Sequence, residues 1–309
     1  MTTLAPKPPE HSPASSSGKK PPSKAGTIGL ALVMILCILL GIGVLGYPVV
    51  ATQLNNWEQS KVAKAFNAQA EGASPEEAAA ALEEARFYNE SHRSIAFEDP
   101  WTGTSPAGEL DYQVYLDVLD QFPAMGQLAI PALSINLPIY HGTDDTTLLK
   151  GVGHLYGTPL PIGGEGNRSV LTAHSGIPDA TFFDNLEKIT KGDAIYVRNI
   201  GETLKYEVRD IQVILPTELE KIQPEEGKDL ITLITCTPYG INTHRLLVTA
   251  ERVPMDPAED VDAFGGDGIV WQWWMKLAIA VVAFILLLAL ALVVWLIRSK
   301  LKKSTKDVA

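Results

Sequence analysis

A cysteine and an arginine lie close together in the stretch LITLITCTPYGINTHRLLV, which runs from Leu230 to Val248. Cys236 is one of two cysteines in 309 residues, and Arg245 follows nine positions later. A thiolate is a strong nucleophile, and a neighbouring cation favours the thiolate and stabilises a developing oxyanion. These residue types therefore suggest nucleophilic catalysis. The two residues alone leave open the alternatives of an inert buried thiol and an arginine that solvates a sheet edge.

A nucleophilic cysteine commonly works with an imidazole. Six histidines are present, and His174 is the one that ends a strand-like run of small and β-branched residues, RSVLTAH. His244 adjoins Arg245, so on a strand their side chains would point to opposite faces. A histidine and a cysteine at two strand ends can meet on one rim of a sheet. The sequence therefore predicts a site made of His174, Cys236 and Arg245.

The elements that would carry these residues are short β-rich runs separated by turn residues, from about 112 to 255. Eight runs are recognisable: QLAIPAL, INLPIYHG, GVGHLYG, RSVLTAH, DAIYVRN, TLKYEVRDIQVIL, DLITLITC and HRLLVTAERV. Eight strands in ~140 residues are typical of a closed barrel or a sandwich. The last two runs flank the turn TPYGINT, so they are predicted to form a hairpin with Cys236 and Arg245 at one rim. One short helix is predicted at 180–189.

Helical patterns precede the β-rich region. Residues 55–92 are predicted to be helical, with Ser74 as an N-cap, Pro75 as the first helical residue and Glu77 as the capping-box partner. The segment EDPWTGTSPAG at 98–108 is punctuated by Pro and Gly and is predicted to be a loop.

Two uncharged apolar runs are long enough to cross a bilayer, which requires about 20 residues. The first runs from Thr27 to Tyr47, and the second, LAIAVVAFILLLALALVVWLI, lies between Lys276 and Arg298. Tryptophans at 271, 273 and 274 are typical of an interfacial aromatic belt. A cleaved signal peptide is a competing interpretation of the first run, but signal h-regions are only about 7–15 residues long. Both runs are therefore predicted to span the membrane.

The charges that flank these runs predict the orientation, because cytoplasmic segments carry an excess of Lys and Arg. Both ends of the chain are basic, whereas residues 48–268 contain 15 Lys and Arg against 34 Asp and Glu. We therefore expect both termini in the cytoplasm and the acidic central segment outside the cell. So acidic a segment argues against nucleic acid as a partner. The sequence shows no metal-ligand cluster and no phosphate-binding glycine loop, so no metal and no cofactor is expected.

The external location bears on Cys236, because exported cysteines are usually paired in disulfides. Cys37, the other cysteine, lies within the first apolar run and would be held at mid-membrane depth. It could not reach Cys236, so a reduced thiol is expected at Cys236.

At these residues the chain resembles the sortases, membrane-bound cysteine transpeptidases of Gram-positive bacteria. TLITC, at 232–236, is similar to the TLxTC motif of that family. TCTPYGINTHRLLV, INLPIYHGT, GVGHLYGT and SVLTAH are similar to the pilin-polymerising class C in particular. The resemblance is dense over 112–255. It implies a mainly β fold, with a closed eight-stranded sortase-type β-barrel, short helices, an N-terminal helical and lid segment, and two transmembrane helices.

The resemblance also implies roles for individual residues. His174 would be the acid and base, Cys236 the nucleophile, and Arg245 the residue that holds the substrate and the oxyanion. Many class C members have Arg after the catalytic histidine, where this chain has Ser175. That departure puts in doubt a substrate contact at this position.

A lid loop carrying Asp-Pro-aromatic is typical of class C sortases. It corresponds here to Asp99, Pro100 and Trp101. The resemblance implies that the aspartate approaches Arg245 and that the ring covers Cys236. Judged from its residues alone, EDPW is an ordinary turn.

The implied reaction is cleavage of an LPxTG-like sorting signal between Thr and Gly through a thioacyl intermediate, with transfer to an amine, in class C a pilin lysine. The implied partners are LPxTG-bearing surface proteins or pilins, together with the lipid bilayer. Housekeeping-type anchoring of surface proteins to the cell wall and a non-catalytic membrane-tethered barrel scaffold remain alternatives. Papain-like hydrolases place Cys before His, the reverse of the order here, and the Ser-x-Gly-Cys signature of L,D-transpeptidases is absent.

The predicted organisation is that of a membrane protein with two spans. Its parts are a disordered cytoplasmic tail (1–26), a transmembrane helix (27–47), an extracellular helical segment and lid (48–111), the catalytic barrel (112–256), a linker (257–268), an interfacial segment with the second transmembrane helix (269–297) and a basic cytoplasmic tail (298–309).

Overall fold

Eight β-strands close into one barrel in the computed structural model, which describes residues 24–92, 110–256, 258–265 and 270–306. The strands are β1 (Gly126–Ile130), β2 (Ile135–His141), β3 (Val152–His154), β4 (Arg168–Thr172), β5 (Ala194–Arg198), β6 (Thr203–Ile214), β7 (Leu230–Thr237) and β8 (His244–Val253). Their order around the barrel is β1-β2-β3-β4-β7-β8-β6-β5. Each predicted run contains one of these strands, so the eight-stranded barrel is confirmed.

Strand pairing in the barrel is mixed. β2 with β3 and β4 with β7 are parallel pairs, and the other neighbours are antiparallel. β7 is buried along its whole length. This burial agrees with its sequence, in which β-branched and aliphatic residues occur on both faces of the strand. The β4–β7 pair and the β7–β8 hairpin therefore form the most enclosed part of the sheet.

Six helices surround the barrel or lie outside it. They are α1 (Lys24–Gly72), α2 (Pro75–Ser91), α3 (Leu110–Asp117), α4 (Asp145–Leu148), α5 (Glu259–Ala263) and α6 (Trp273–Lys306) among the described segments. The chain divides into two compact units between Val44 and Leu45. The first unit contains the start of α1, and the second contains the barrel with the remaining helices.

Helix α2 begins as its sequence predicts. The Ser74 hydroxyl accepts from the Glu77 N–H at 3.2 Å, and the Glu77 carboxylate accepts from the Ser74 N–H at 2.9 Å. This capping box satisfies two backbone donors that the first turn leaves without helical partners. The buried face of α2, which includes Leu82 and Tyr88, joins the apolar core of the barrel.

The predicted helix at 180–189 is wrong for most of its length. The segment forms turns and a short 3-10 helix at Leu186–Lys188. The side chains from Ala180 to Asp184 are all buried, and Phe182 has a φ of 30°. A surface helix would turn part of this run towards solvent, so burial of five successive side chains favours an irregular backbone.

Part of the predicted linker at 257–268 is packed against the barrel. Helix α5 places Glu259 within 2.6 Å of the Lys205 ammonium, and Asp260 lies 2.7 Å from the Arg198 guanidinium. Phe264 joins a small apolar cluster with Tyr196. These contacts attach residues 258–265 to the outer surface of β5 and β6.

Two helices are long and apolar enough to cross a membrane among the described residues. They cover Leu32–Gly72, within α1, and Trp273–Arg298, within α6, and their apolar stretches are not buried inside the protein. These helices support membrane association. The predicted tail at 1–26 lies outside the described residues, apart from the first residues of α1.

Candidate active site

Cys236 and Arg245 face each other across the β7–β8 hairpin. They are directly paired in the antiparallel register. Residues that are paired in this way project from the same face of a sheet, with Cβ atoms about 4.5–5.5 Å apart. The structure therefore places the thiol beside the guanidinium, as the hairpin in the sequence predicts.

His174 reaches the same place from β4. Thr172 pairs with Ile234 in the parallel β4–β7 register, and His174 and Cys236 each lie two residues further along. The backbone contact continues past the end of β4, because the Ala173 N–H donates to the Ile234 carbonyl at 3.3 Å. Alternation along both strands puts His174 and Cys236 on one face. All three predicted residues thus meet at one rim.

The face that they share is the outer face of the barrel. Leu171, Leu233 and Leu246 point into the central core. The alternate residues on the same strands belong to a separate outer cluster, which contains Leu155, Val170, Ile214, Ile222, Ile234 and Leu247. The three polar residues continue this outer cluster towards the strand ends. The site therefore lies on the outer face of the barrel next to a buried apolar cluster, and it is separate from the barrel interior.

Cys236 and Arg245 are buried, with 6% of each residue exposed, and His174 is half-buried. The Arg245 Nη1 donates to the carbonyls of Asn242 and His244, both at 3.3 Å. The guanidinium is thus tied to the backbone of the β7–β8 turn. These bonds orient a fixed positive charge next to the thiol.

Burial lowers the pKa of the His174 imidazole, and the negative charge of Asp145 opposes that change. Desolvation penalises the charged form of any buried group, which explains the direction. Asp145 lies at the start of α4, so this short helix contributes an acidic group to the surroundings of the histidine.

Two loops frame the rim, and they contact each other. The β4–β5 loop begins just before His174, after Thr172, and the β7–β8 loop follows Thr237. A Cβ atom added to Gly176 would lie 2.8 Å from the Gly240 nitrogen, so the two backbones touch. The Ser175 hydroxyl also donates to the Cys236 carbonyl at 2.6 Å. Sequence reasoning noted Ser175 only as a departure from the family pattern.

Asp184 links the same two loops. Its carboxylate accepts from the Gly176 N–H at 2.8 Å, and the Tyr239 hydroxyl lies beside it. Burial raises the pKa of Asp184 to about 7, although both neighbours favour the ionised form. No sequence signal marked this residue, because its partners are eight and 55 positions away.

The β6–β7 loop covers the outer apolar cluster and is held in place by Arg168. The Arg168 side chain is 4% exposed and pairs with Glu225 at 2.6 Å. It also donates to the Lys221 carbonyl at 3.3 Å. Ile222, next to Lys221, packs into the outer cluster. This loop therefore encloses the cluster beside the candidate site.

Two other histidines have structural roles. His154 is fully buried and bonds to the Tyr115 hydroxyl at 2.9 Å and to the Pro159 carbonyl at 2.9 Å. Burial lowers its pKa to about 3, so it is neutral. His141 bonds to the Val118 carbonyl at 2.6 Å. Both connect the barrel to α3 and the residue that follows it.

Some sequence predictions fall elsewhere. Asp99, Pro100 and Trp101 lie outside the described residues, so their lid role stays a prediction. No group of His, Cys, Asp or Glu with metal-site geometry occurs within the described parts of the chain.

A family model for the sortase domain matches residues 128–253. Among solved structures, sortase C-1 from Actinomyces oris is 51% identical, and the match covers 59% of this chain and 100% of that one, with a TM-score of 0.57. Sortase A from Corynebacterium diphtheriae is 46% identical over 67% of this chain and 98% of that one, with a TM-score of 0.59.

Sortase C from Streptococcus pneumoniae, which is described in connection with pilin substrate specificity, is 35% identical. The match covers 63% of this chain and 97% of that one, with a TM-score of 0.58. Among curated proteins, Sortase A of Streptococcus agalactiae is 33% identical over 42% of this chain. The chain spans 53% to 62% of the length of the first three curated relatives it matches.

Proposed function

The chain belongs to the sortase family, and from this premise we propose that it is a membrane-associated cysteine transpeptidase of the pilin-polymerising type. One observation carries the proposal. Cys236 pairs directly with Arg245 across a hairpin, and His174 lies two residues beyond the end of the neighbouring parallel strand on the same outer face. This arrangement supplies a nucleophile, a cation and an acid–base group at one rim.

The proposed first half-reaction forms a thioester. The Cys236 Sγ attacks the threonyl carbonyl of an LPxTG-like sorting signal, and the carbonyl electrons move to oxygen. Arg245 stabilises the developing oxyanion. The intermediate then collapses with loss of the C–N bond, and His174, as imidazolium, gives its proton to the departing glycine amine.

The second half-reaction transfers the acyl group. Neutral His174 accepts a proton from the incoming amine, which attacks the thioester carbonyl. The C–S bond breaks and leaves Cys236 as thiolate beside an imidazolium. The product is an amide, and with a lysine side chain as the amine it is an isopeptide bond.

The outer apolar cluster bears on how a peptide substrate reaches the site. It lies next to Cys236 and Arg245, and its residues are only 0–4% exposed because the β6–β7 loop, which Arg168 holds, encloses them. A sorting signal would therefore place its threonyl carbonyl at the rim beside this loop, without packing on the cluster itself.

The accepting amine separates the two transpeptidase candidates. Likeness to the sortases C of Actinomyces oris and Streptococcus pneumoniae supports a pilin lysine. Likeness to Sortase A of Corynebacterium diphtheriae keeps cell-wall anchoring as the second candidate. The two candidates can be separated by giving purified enzyme and sorting-signal peptide either a pilin lysine or a cell-wall peptide amine. The mass of the product then shows which amine is the preferred acceptor.

The central test of the mechanism uses the full-length enzyme and an LPxTG peptide, with the thioacyl adduct measured by mass spectrometry. Cys236→Ala should form no adduct, and His174→Ala should not turn over. Arg245→Lys should lose about 10²-fold or more in rate, because a point charge does not replace the planar fork. His244→Ala, next to Arg245 on the opposite face, is the matched control and should remain active. An adduct that persists in Cys236→Ala would refute the mechanism.

A further inference from the structure

The β7–β8 loop, residues 238–243, presents exposed apolar surface at the candidate site. Ile241 is 67% exposed and Tyr239 is 39% exposed. The loop, PYGINT, contains no charged residue, although the segment 48–268 carries 34 acidic and 15 basic residues. The loop therefore exposes two neighbouring apolar side chains and no charge beside the candidate site.

The start of α6 defines where the protein meets the bilayer. Gln272 and Met275 are buried, at 4% and 0% exposure, so the first turn of α6 packs against the rest of the protein. Trp271 and Trp273, on other sides of this turn, are 50% and 67% exposed. From Leu277 onwards the helix is an exposed apolar span. Tryptophan next to such a span is typical of the headgroup region.

The packing of this first turn is specific. The Gln53 side-chain amide donates to the Val270 carbonyl at 2.8 Å and to the Met275 sulfur at 3.3 Å. These bonds hold the beginning of α6 against α1 within the unit that contains the barrel. The level of the bilayer boundary is therefore coupled to the position of the barrel.

The loops of the candidate site reach this same level. The Tyr239 hydroxyl lies beside the indole of Trp274. The β4–β5 loop joins α1 nearby, because the Thr52 hydroxyl donates to the Pro178 carbonyl at 3.1 Å and the Thr181 hydroxyl donates to Asn56 at 3.0 Å. Trp274 is less than one helical turn, about 5.4 Å, from the first residue of the apolar span at Leu277. Tyr239 thus lies next to the residues at which the apolar span begins.

We propose that the β7–β8 loop is a lipid-docking surface, with Ile241 inserted at the boundary between headgroups and acyl chains and Tyr239 lying in the headgroup layer. The occupant is the bilayer that α6 spans, because the loop is continuous with the tryptophan belt of that helix. An aliphatic tip gains from leaving water, and a tyrosine suits a site that is apolar on one side and wet on the other. Cys236 and Arg245, at the base of the loop, are then held next to the membrane surface. This placement is independent of the chemistry proposed for them.

The test places a photoreactive benzoylphenylalanine in the full-length protein, reconstituted in nanodiscs of phosphatidylcholine and phosphatidylglycerol. One protein carries it in place of Ile241 and a second carries it in place of Tyr239, an exchange of one aromatic residue for another. The matched control replaces Phe87, which is 71% exposed on α2. That helix packs at the β5–β6 turn, where a Cβ on Gly201 would touch Ala78 at 2.9 Å, at the opposite end of β6 from Arg245.

Irradiation should yield lipid adducts at the Ile241 and Tyr239 positions and none above background at the Phe87 position, as read by mass spectrometry of the tryptic peptides. Equal lipid adducts at all three positions, or none at the two loop positions, would overturn the proposal. A cross-link from the loop to a second copy of this chain in place of lipid would also overturn it, because the exposed surface would then be a protein interface.

Discussion

At the scale of single residues, the candidate site depends on the alternation of side chains along three strands. Cys236 and Arg245 share a face because they are directly paired, and His174 joins them because β4 and β7 run parallel in a register that aligns their ends. The thiol and the guanidinium are buried, and the imidazole is half-buried. Burial disfavours the imidazolium, so the charge of Asp145 matters for the proton that His174 is proposed to donate.

Asp145→Asn should lower the pKa of His174 further. The Asp145 carboxylate raises that pKa against the effect of burial, so removing its charge leaves desolvation less opposed. The imidazolium fraction near pH 6 should fall. An NMR titration of the His174 ring protons measures this directly. Glu202→Gln, which removes one negative charge at the β5–β6 turn, is the control and should leave the His174 pKa unchanged. An unchanged pKa in Asp145→Asn would contradict the electrostatic argument.

At the scale of elements, the rim is built from two loops that hold each other. Gly176 and Gly240 bring the backbones of the β4–β5 and β7–β8 loops into contact, and Asp184 accepts from Gly176 while it lies beside Tyr239. The strand ends alone would leave these loops free to separate. The contact between them fixes the position of the histidine relative to the cysteine.

Gly176→Ala should therefore slow the reaction at the site by more than the strain of its backbone conformation alone would. Gly176 and Gly192 both have positive φ, 76° and 94°, but only at Gly176 would a Cβ meet a backbone atom, 2.8 Å away. Each alanine should cost about 1–2 kcal/mol of stability from the left-handed backbone alone. Only Gly176→Ala should also push the loops apart and slow thioacyl formation, measured by mass spectrometry. Equal rates in Gly176→Ala and Gly192→Ala would show that the contact does not position the site.

Asp184 should make the stability of the barrel depend on pH. Its folded pKa, about 7, lies above the ordinary aspartate pKa of 3.8, so the folded protein keeps a proton that the unfolded chain releases. The stabilisation is fully present below about pH 4 and is lost as pH rises to about 7. Urea unfolding measures the free energy of unfolding of wild type and of Asp184→Asn across this pH range. The difference between the two proteins is the contribution of Asp184. Wild type should lose stability relative to Asp184→Asn as pH rises, and a constant difference would contradict the raised pKa.

At the scale of the whole molecule, a closed acidic barrel is joined to helices that can cross a membrane. The barrel has no open sheet edge, and its polar rim lies on the outer face next to the buried outer cluster. The segment 258–265 is packed on β5 and β6, so the connection from β8 to α6 is partly held by the barrel. The whole assembly is consistent with membrane association.

The orientation of the chain is tested by adding protease to intact protoplasts. Both ends are basic and residues 48–268 are acidic, so we expect the termini inside and the central segment outside. Protease should release the central segment and leave a tag placed after Ala309 intact. Lysed protoplasts, in which the tag should also be lost, are the control. Loss of the tag alone from intact protoplasts would show that the chain has the opposite orientation.

Much of the local structure follows from the sequence by itself. The eight β-rich runs each contain a strand, and the Ser74 and Glu77 pattern forms the capping box. The hairpin that pairs Cys236 with Arg245 is also local, because only a short turn separates its strands. These features depend on neighbouring residues, whose periodicity and turn chemistry act over a few positions.

Only the tertiary structure decided how distant segments meet. The parallel pairing that brings His174 to Cys236 joins residues 62 positions apart. The contact of Gly176 with Gly240 and the ion pair of Arg168 with Glu225 join residues 64 and 57 positions apart. At 180–184 the burial of five successive side chains replaced the predicted helix by turns. Such contacts depend on which surfaces fill the same space once the barrel closes, and local propensity carries no information about that choice.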